Sequence, residues 1–253
     1  MKKLKIGIIG VGRLGYEHAC NIANRVPGSE LVAIADANFD RAKQVAEELG
    51  VTAVYNDPKD LCADPNVEAV AIITNTTSHV EMIKIAMDAG KHVFCEKPLA
   101  DTVEKCKEAE AIIAAHPELT FMLGFMRRYD HSYQVAKKKM ENGDIGDVIL
   151  VRCYSQDPIS IIEGTLEYAP RSGGQFIDMS IHDFDLIRWL TGSEVRELWA
   201  TGGCYEFKQY KDWDDGDNVS GLMKMENDAM AFFFAGRAAA HGSHVETEIV
   251  GTR

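Results

Sequence analysis

Lys3-Leu4-Lys5-Ile6-Gly7-Ile8-Ile9-Gly10-Val11-Gly12-Arg13-Leu14-Gly15 decides how the first half of this chain folds. Ile6 to Ile9 is an unbroken apolar run, the pattern of a parallel strand buried on both faces. Gly10, Gly12 and Gly15 follow with G-x-G-x-x-G spacing. In that spacing Gly10 permits a tight turn out of the strand, and Gly12 lets a pyrophosphate approach bare backbone. Gly15 lets the next helix pack close to the sheet. The N-terminus of that helix offers free N–H groups to phosphates. A second apolar run, Leu31 to Ala35, ends at Asp36, where a carboxylate would bind the ribose hydroxyls of an adenosine. The stretch predicts a dinucleotide site.

Downstream, strands and helices alternate. Helix is expected from Tyr16 to Arg25, strand over 30–35, and helix over 38–49 with Gly50 as its stop. A short strand at Ala53-Val54-Tyr55 and a short helix after Asp57-Pro58 follow. Val67 to Thr74 reads as strand, with Thr76 or Thr77 capping the next helix. His92 to Cys95 is strand, 101–115 helix with Asp101 as its cap, and Leu119 to Leu123 strand. Such alternation implies a parallel sheet with right-handed crossovers, a Rossmann-type doubly wound α/β domain over 1–123. The pattern then changes. A helix from about Ser132 to Glu141 precedes a strand over 147–154, a loop over 156–171, and a long helix over 174–190. Strand-like runs near 195–204, 219–225, 229–235 and 245–250 then imply a mostly antiparallel open sheet, an α+β domain over 124–253. No return strand follows the last run, so the sequence reads as a piece of a longer chain whose C-terminal part is missing.

Composition narrows the function classes. The chain has 253 residues, 46% of them hydrophobic, and a formal net charge of -12, which repels nucleic-acid phosphate. No apolar run is long enough to span a bilayer. The six cysteines are scattered without a C-x-x-C pair, which suits reduced thiols in a cytoplasm and speaks against a zinc site. No metal is expected. Asp212 to Asp217 reads as an exposed acidic turn rather than a calcium loop, and Lys137-Lys138-Lys139 as a solvated helix face.

Three stretches carry candidate chemistry. Glu96-Lys97-Pro98 follows the fifth strand, at the carboxyl edge where open α/β sheets hold ligands. An ammonium there can stabilise developing oxyanion charge, although a plain surface lysine fits the sequence equally well. Pro98 fixes the backbone and is a candidate cis residue. Asp178, His182 and Asp185 are spaced to share one helix stripe. A histidine with a carboxylate one turn away has the parts of a general base and its orienter, or of a structural pair. Arg127, in Gly124-Phe125-Met126-Arg127-Arg128-Tyr129-Asp130, stands at the domain junction, suited to a polar substrate group or to an interdomain carboxylate. His241 and His244 reach the cleft or merely lie on it.

With these motifs in place, the chain resembles the superfamily of glucose-fructose oxidoreductase, inositol dehydrogenase and rhizopine-catabolism proteins, and within it the bacterial inositol 2-dehydrogenases. The resemblance rests on the glycine motif, on Glu96-Lys97-Pro98, on Gly124 to Asp130, and on Gly173-Gly174 through Asp178-x-x-x-His182-Asp183-x-Asp185. It implies an NAD-linked oxidoreductase acting on a cyclic polyol, with Lys97, Asp178 and His182 as the catalytic group. Arg127 and Asp185 then join Lys97, Asp178 and His182 in the substrate site. Candidate cofactor contacts are Gly10, Gly12, Arg13, Leu14, Gly15, Asp36, Thr74, Asn75, Glu96 and Lys97. NAD is expected over NADP because Asp36 repels a 2′-phosphate; Arg41, which can turn inward, keeps NADP as the alternative. The resemblance also implies a homotetramer packed through the open face of the second sheet. Many myo-inositol enzymes carry a Tyr-Gly-Tyr-Asp-like segment where this chain has His241-Gly242-Ser243-His244, so scyllo-inositol stands beside myo-inositol as a substrate. A pyranose dehydrogenase and a non-catalytic dinucleotide sensor are the alternatives.

Overall fold

The computed structural model describes residues 2–253, which form two compact units, one ending at Gly124 and the other Phe125–Arg253. In the first unit β1 (Leu4–Ile9), α1 (Arg13–Asn24), β2 (Ser29–Ala35), α2 (Phe39–Leu49), β3 (Ala53–Tyr55) and α3 (Pro58–Ala63) come first. β4 (Ala69–Ile72), α4 (His79–Asp88), β5 (His92–Cys95), α5 (Val103–Ala114) and β6 (Phe121–Leu123) complete it. The six strands are all parallel, in the order β3-β2-β1-β4-β5-β6. Alternation along each strand feeds two cores. Ile8 and Ala71 join the core that holds Ala19, Val45 and Ala46 of α1 and α2. Ile9 and Ile72 join the one that holds Leu61, Ile83 and Ala109 of α3, α4 and α5. Both faces are covered, and each large aliphatic side chain so buried contributes about 1.5–3 kcal/mol. The doubly wound α/β reading is borne out. Strand order reverses between β1 and β4, so the turns after Ile9 and Ile72 open at the switch point where such sheets hold ligands.

Helix ends differ from expectation in two places. Thr102, not Asp101, caps α5: its hydroxyl accepts from the Lys105 N–H at 3.3 Å. Asp101, one residue before the cap, instead takes the Lys105 ammonium at 2.9 Å, an i,i+4 pair. Thr76 and Thr77 lie in a 3₁₀ turn, Thr76–Ser78, and α4 starts at His79 without a side-chain cap.

The second unit contains α6 (His131–Glu141), β7 (Val148–Pro158), α7 (Ile162–Tyr168), α8 (Gln175–Asp178) and α9 (Ile181–Thr191), then β8 (Val195–Gly203), β9 (Asn218–Met225), β10 (Met230–Ala239) and β11 (His244–Gly251). Its sheet runs β11-β7-β10-β9-β8, antiparallel except where β10 lies parallel to β7. One face buries Val151, Met223, Phe233 and Ala235 beneath Leu186, Ile187 and Leu190 of α9. The other face is open, with Trp199, Leu222 and Phe232 in register across three strands.

Two expectations here are corrected. The loop expected over 156–171 is strand to Pro158 and then helical through Arg171. Pro158 ends its strand and Pro170 sits in the opening of a 3₁₀ turn, positions that need no N–H donor. The long helix expected over 174–190 is broken. Ser180 N–H reaches back to Gln175 O, while His182 N–H bonds Met179 O and Asp183 N–H bonds Ser180 O. Neither proline nor glycine stands at the break. Tertiary anchors hold the two pieces separately and override helix propensity: Asp215 accepts from the Gln175 N–H at 2.9 Å, and α9 is fixed by its apolar face on the sheet.

Candidate active site

In the first unit the glycine loop has the geometry of a phosphate cradle. Gly10 has φ +90°, and a Cβ there would meet Ile73 O at 2.5 Å. A Cβ on Gly15 would stand 2.0 Å from Gly10 O, so only glycine lets α1 approach the loop. Gly12 is the contrast: nothing lies within 4 Å of its missing Cβ. No side chain caps α1, whose first residues, Arg13 and Leu14, are exposed, so its first turn keeps N–H groups for an anion. A dinucleotide pyrophosphate fits this arrangement.

Asp36, at the end of β2, closes the loop. Its carboxylate accepts from Val11 N–H at 2.7 Å and from Asn38 N–H at 2.8 Å. Arg41 does turn inward: its Nε donates to Val11 O at 3.1 Å, and its guanidinium lies 5.1 Å from the centre of the Tyr16 ring. Thr74 and Asn75 follow β4, where Ser78 Oγ donates to Thr74 Oγ1 at 2.8 Å. Glu96, Lys97 and Pro98 follow β5, and the Lys97–Pro98 peptide is cis. The Glu96 carboxylate accepts from Lys97 N–H at 3.0 Å and from His18 Nε2 at 2.9 Å. His79 donates from Nδ1 to Pro98 O at 2.8 Å. Burial pushes the His79 imidazole down, against the pull of the Pro98 and Thr74 carbonyls, so it is neutral near neutral pH. Neither histidine stands out in the sequence, because each takes its meaning from a partner far along the chain.

In the second unit Asp178 ends α8 and His182 lies in the first turn of α9, so with Asp185 they do not share one continuous helix stripe. The Asp178 carboxylate accepts from Arg237 Nη1 at 3.1 Å. His182 meets the Phe125 ring edge-on, with centroids 6.3 Å apart. Arg127 is buried and donates to Asp183 at 2.6 Å and to Ser155 Oγ at 2.8 Å. Burial pushes the Asp183 carboxyl up, while Arg127 and Ser155 pull it back. Asp185 takes a two-pronged pair from Arg128, at 2.7 and 2.8 Å. Both Arg127 and Asp185 are thus engaged within their own unit.

The acidic stretch is corrected. Asp217 is fully buried and accepts from the N–H groups of Tyr205, Glu206 and Phe207 at 2.7–2.9 Å. Burial raises its carboxyl, but those donors outweigh it and hold it below the usual range. Asp215 lies 3.8 Å from Arg237 Nη2. Asp212 and Asp214 do face solvent. Among the described residues no group of three or more His, Cys, Asp or Glu side chains is placed to hold a metal ion. Lys137 is not purely solvated: its ammonium donates to Trp189 O at 2.8 Å. His241 and His244 flank the turn from β10 to β11, where His244 stacks on Tyr154 and meets Glu246 at 3.1 Å.

Comparison with known proteins fixes the family. Residues 4–125 match the oxidoreductase family with an NAD-binding Rossmann fold, and residues 133–253 match the GFO/IDH/MocA C-terminal domain. The chain belongs to the GFO/IDH/MocA oxidoreductase family. It is 36% identical to the myo-inositol 2-dehydrogenase of Thermotoga maritima, over 99% of this chain and 73% of that one. It is 34% identical to the scyllo-inositol 2-dehydrogenase (NAD(+)) of Bacillus subtilis, over 99% and 72%. A crystal structure of scyllo-inositol dehydrogenase from Lactobacillus casei with NAD(H) and scyllo-inositol bound is similar with a TM-score of 0.94 at 42% identity, covering 99% of this chain and 74% of that one. As in that family, the glycine loop belongs to an NAD-binding domain. No helix among the described residues is long and apolar enough to cross a membrane.

Proposed function

We propose that this chain is an NAD-dependent inositol 2-dehydrogenase, oxidising one secondary hydroxyl of myo- or scyllo-inositol to the ketone. The likeness along nearly its whole length to a relative crystallised with NAD(H) and scyllo-inositol carries the reading. Gly10, Gly12, Arg13, Leu14 and Gly15 hold the pyrophosphate, Asp36 the adenosine ribose, and Thr74, Asn75, Glu96 and Lys97 the nicotinamide half. When bound, NAD accepts the hydride from the ring carbon.

The remaining work falls to the chain. His182 takes the hydroxyl proton, directly or through Lys97. Asp178 orients His182 and stabilises its protonated form, which favours turnover at mildly alkaline pH. The Lys97 ammonium hydrogen-bonds the reacting oxygen and stabilises its developing charge. Arg127 and Asp185 contribute to the substrate site while held in their pairs with Asp183 and Arg128. Asp36, already bound by two backbone N–H groups, disfavours a 2′-phosphate by like charge.

We also propose a cytoplasmic homotetramer. All six cysteines are free thiols, and the open face of the second sheet exposes Trp199 (63%) and Leu222 (55%), apolar surface that a second copy would cover.

The test is NAD reduction, followed by absorbance, with myo-inositol, scyllo-inositol and glucose in parallel and NAD binding measured on the same sample. Turnover of an inositol well above glucose is expected. Preference for glucose would make the chain a pyranose dehydrogenase. NAD binding without turnover of any polyol would point either to a sensor or to a need for the further length that the relatives have, and the same assay on an extended chain separates the two.

A further inference from the structure

Lys97 stands between two neighbours that are each tied down by a histidine. On one side Glu96 joins His18 Nε2 at 2.9 Å through one carboxylate oxygen. Its other oxygen accepts from the Lys97 N–H at 3.0 Å. On the other side Pro98 O accepts from His79 Nδ1 at 2.8 Å. The two histidines come from different elements. His18 is on α1, the helix that leaves the glycine loop. His79 opens α4, the helix that leaves Thr74 and Asn75, and its Nε2 lies 3.3 Å from Thr74 O.

The surroundings are shaped for these contacts. His79 is 1% exposed. An apolar side chain would fill that volume without the desolvation cost of an imidazole, so the choice of histidine points to its hydrogen bonds. His18 packs on Phe94 of β5, with ring centroids 5.5 Å apart. A Cβ on Gly124 would come within 3.2 Å of the Glu96 carboxyl, so that glycine leaves the carboxylate room to turn toward His18.

We propose that His18 and His79 are positioning residues for Lys97. They act through Glu96 and Pro98, and tie the lysine's backbone to both loops that receive the cofactor. The proposal rests on the reading of Lys97 as a group that touches the reacting hydroxyl. Its chemistry is simple. A lysine carries its ammonium on a flexible four-carbon stem. Fixing the main chain before and after its Cα leaves only that stem to be placed, and a misplacement of about 1 Å costs on the order of 100-fold in rate.

The test has two arms in the full chain. The first needs no turnover. Amide hydrogen exchange over residues 93–100, measured without cofactor, should speed up in His18→Leu and His79→Leu. Exchange in β9 and β10 should stay unchanged. The donor-keeping variants His18→Gln and His79→Asn should restore protection. The second arm is a double-mutant cycle with Lys97→Met. Each leucine variant should lower kcat by about 10- to 100-fold with Lys97 present, and add little to the loss with Lys97 absent. Where His79→Leu does not fold, His79→Gln, which displaces the donor, takes its place. Unchanged exchange around Lys97, or losses that add fully to that of Lys97→Met, would overturn the proposal. A wild type that turns over no polyol sinks the functional reading alone, because the exchange arm still reports on the clamp.

Discussion

The Arg237 guanidinium, only 1% exposed, donates to the Asp178 carboxylate at 3.1 Å from a neighbouring strand. It also faces Asp215 at 3.8 Å and lies over the Tyr210 ring. Asp178 is therefore held by the sheet and not only by its own short helix. Removing one member of a buried pair costs about 3–5 kcal/mol, because the other charge stays behind. Arg237→Met should lower stability by that order in chemical denaturation. It should also lower kcat, since Asp178 then loses its fixed orientation. Wild-type kcat in a folded Arg237→Met variant would show that Asp178 needs no such support.

Arg127 and Asp183 form a second buried pair, with Ser155 as a third member. Each single change, Arg127→Met or Asp183→Leu, strands a charge and should cost about 3–5 kcal/mol. The double change removes both charges and should cost less than the sum of the two. Denaturant midpoints of the four proteins give the coupling directly, and simple additivity would mean that the pair contributes no joint term.

Gly12 and Gly15 should separate binding from folding. Gly12→Ala places its methyl in open space, so thermal stability should stay close to wild type while NAD affinity falls by about tenfold or more as the phosphate path narrows. Gly15→Ala drives a methyl into Gly10 O, a contact of 2.0 Å that backbone cannot relieve cheaply, so it should destabilise the unit itself. Calorimetric binding and thermal melts on both variants distinguish the two outcomes.

Trp199 pairs across the open sheet with Leu222, which pairs with Phe232. This row is the centre of the proposed contact between copies. Trp199→Glu should shift sedimentation to smaller species while leaving the monomer fold intact, because the side chain contributes little to the covered core face. An unchanged sedimentation profile would move the interface elsewhere.

These relationships also mark how far the sequence could be read. The parallel sheet was legible because its signals are local: apolar runs, a glycine spacing, and Asp36 at the end of a strand. The antiparallel sheet followed from strand runs without intervening helices. The break between Asp178 and His182 was not legible. It contains neither proline nor glycine, and comes from Asp215 anchoring Gln175, 40 residues away in sequence. Asp217 looked exposed because its burial depends on the backbone donors of Tyr205, Glu206 and Phe207 folding over it. His18 and His79 were silent for the same reason, since a histidine's role is set by what its ring nitrogens meet.

His79 gives a prediction with a definite sign. Burial pushes its imidazole below the ordinary value of about 6.5, and the carbonyls of Pro98 and Thr74 and the nearby Glu96 only partly offset this. Its folded-state value thus lies below its unfolded value. Between the two, the unfolded chain binds more protons than the folded one, so stability rises with pH in that window. The contribution is complete above about pH 6.5 and is lost as pH falls toward the folded value, at up to about 1.4 kcal/mol per pH unit. The partnered carboxylates Asp64 and Asp88 are held low by their hydrogen-bond donors and titrate further down. His79→Asn keeps a donor for Pro98 but cannot ionise, so its stability should fall less steeply than wild type between pH 7 and 5. Denaturant unfolding of both proteins across that range measures the difference. Parallel curves would mean that the imidazole is hydrated enough to charge in place, and that the tie to Pro98 is loose.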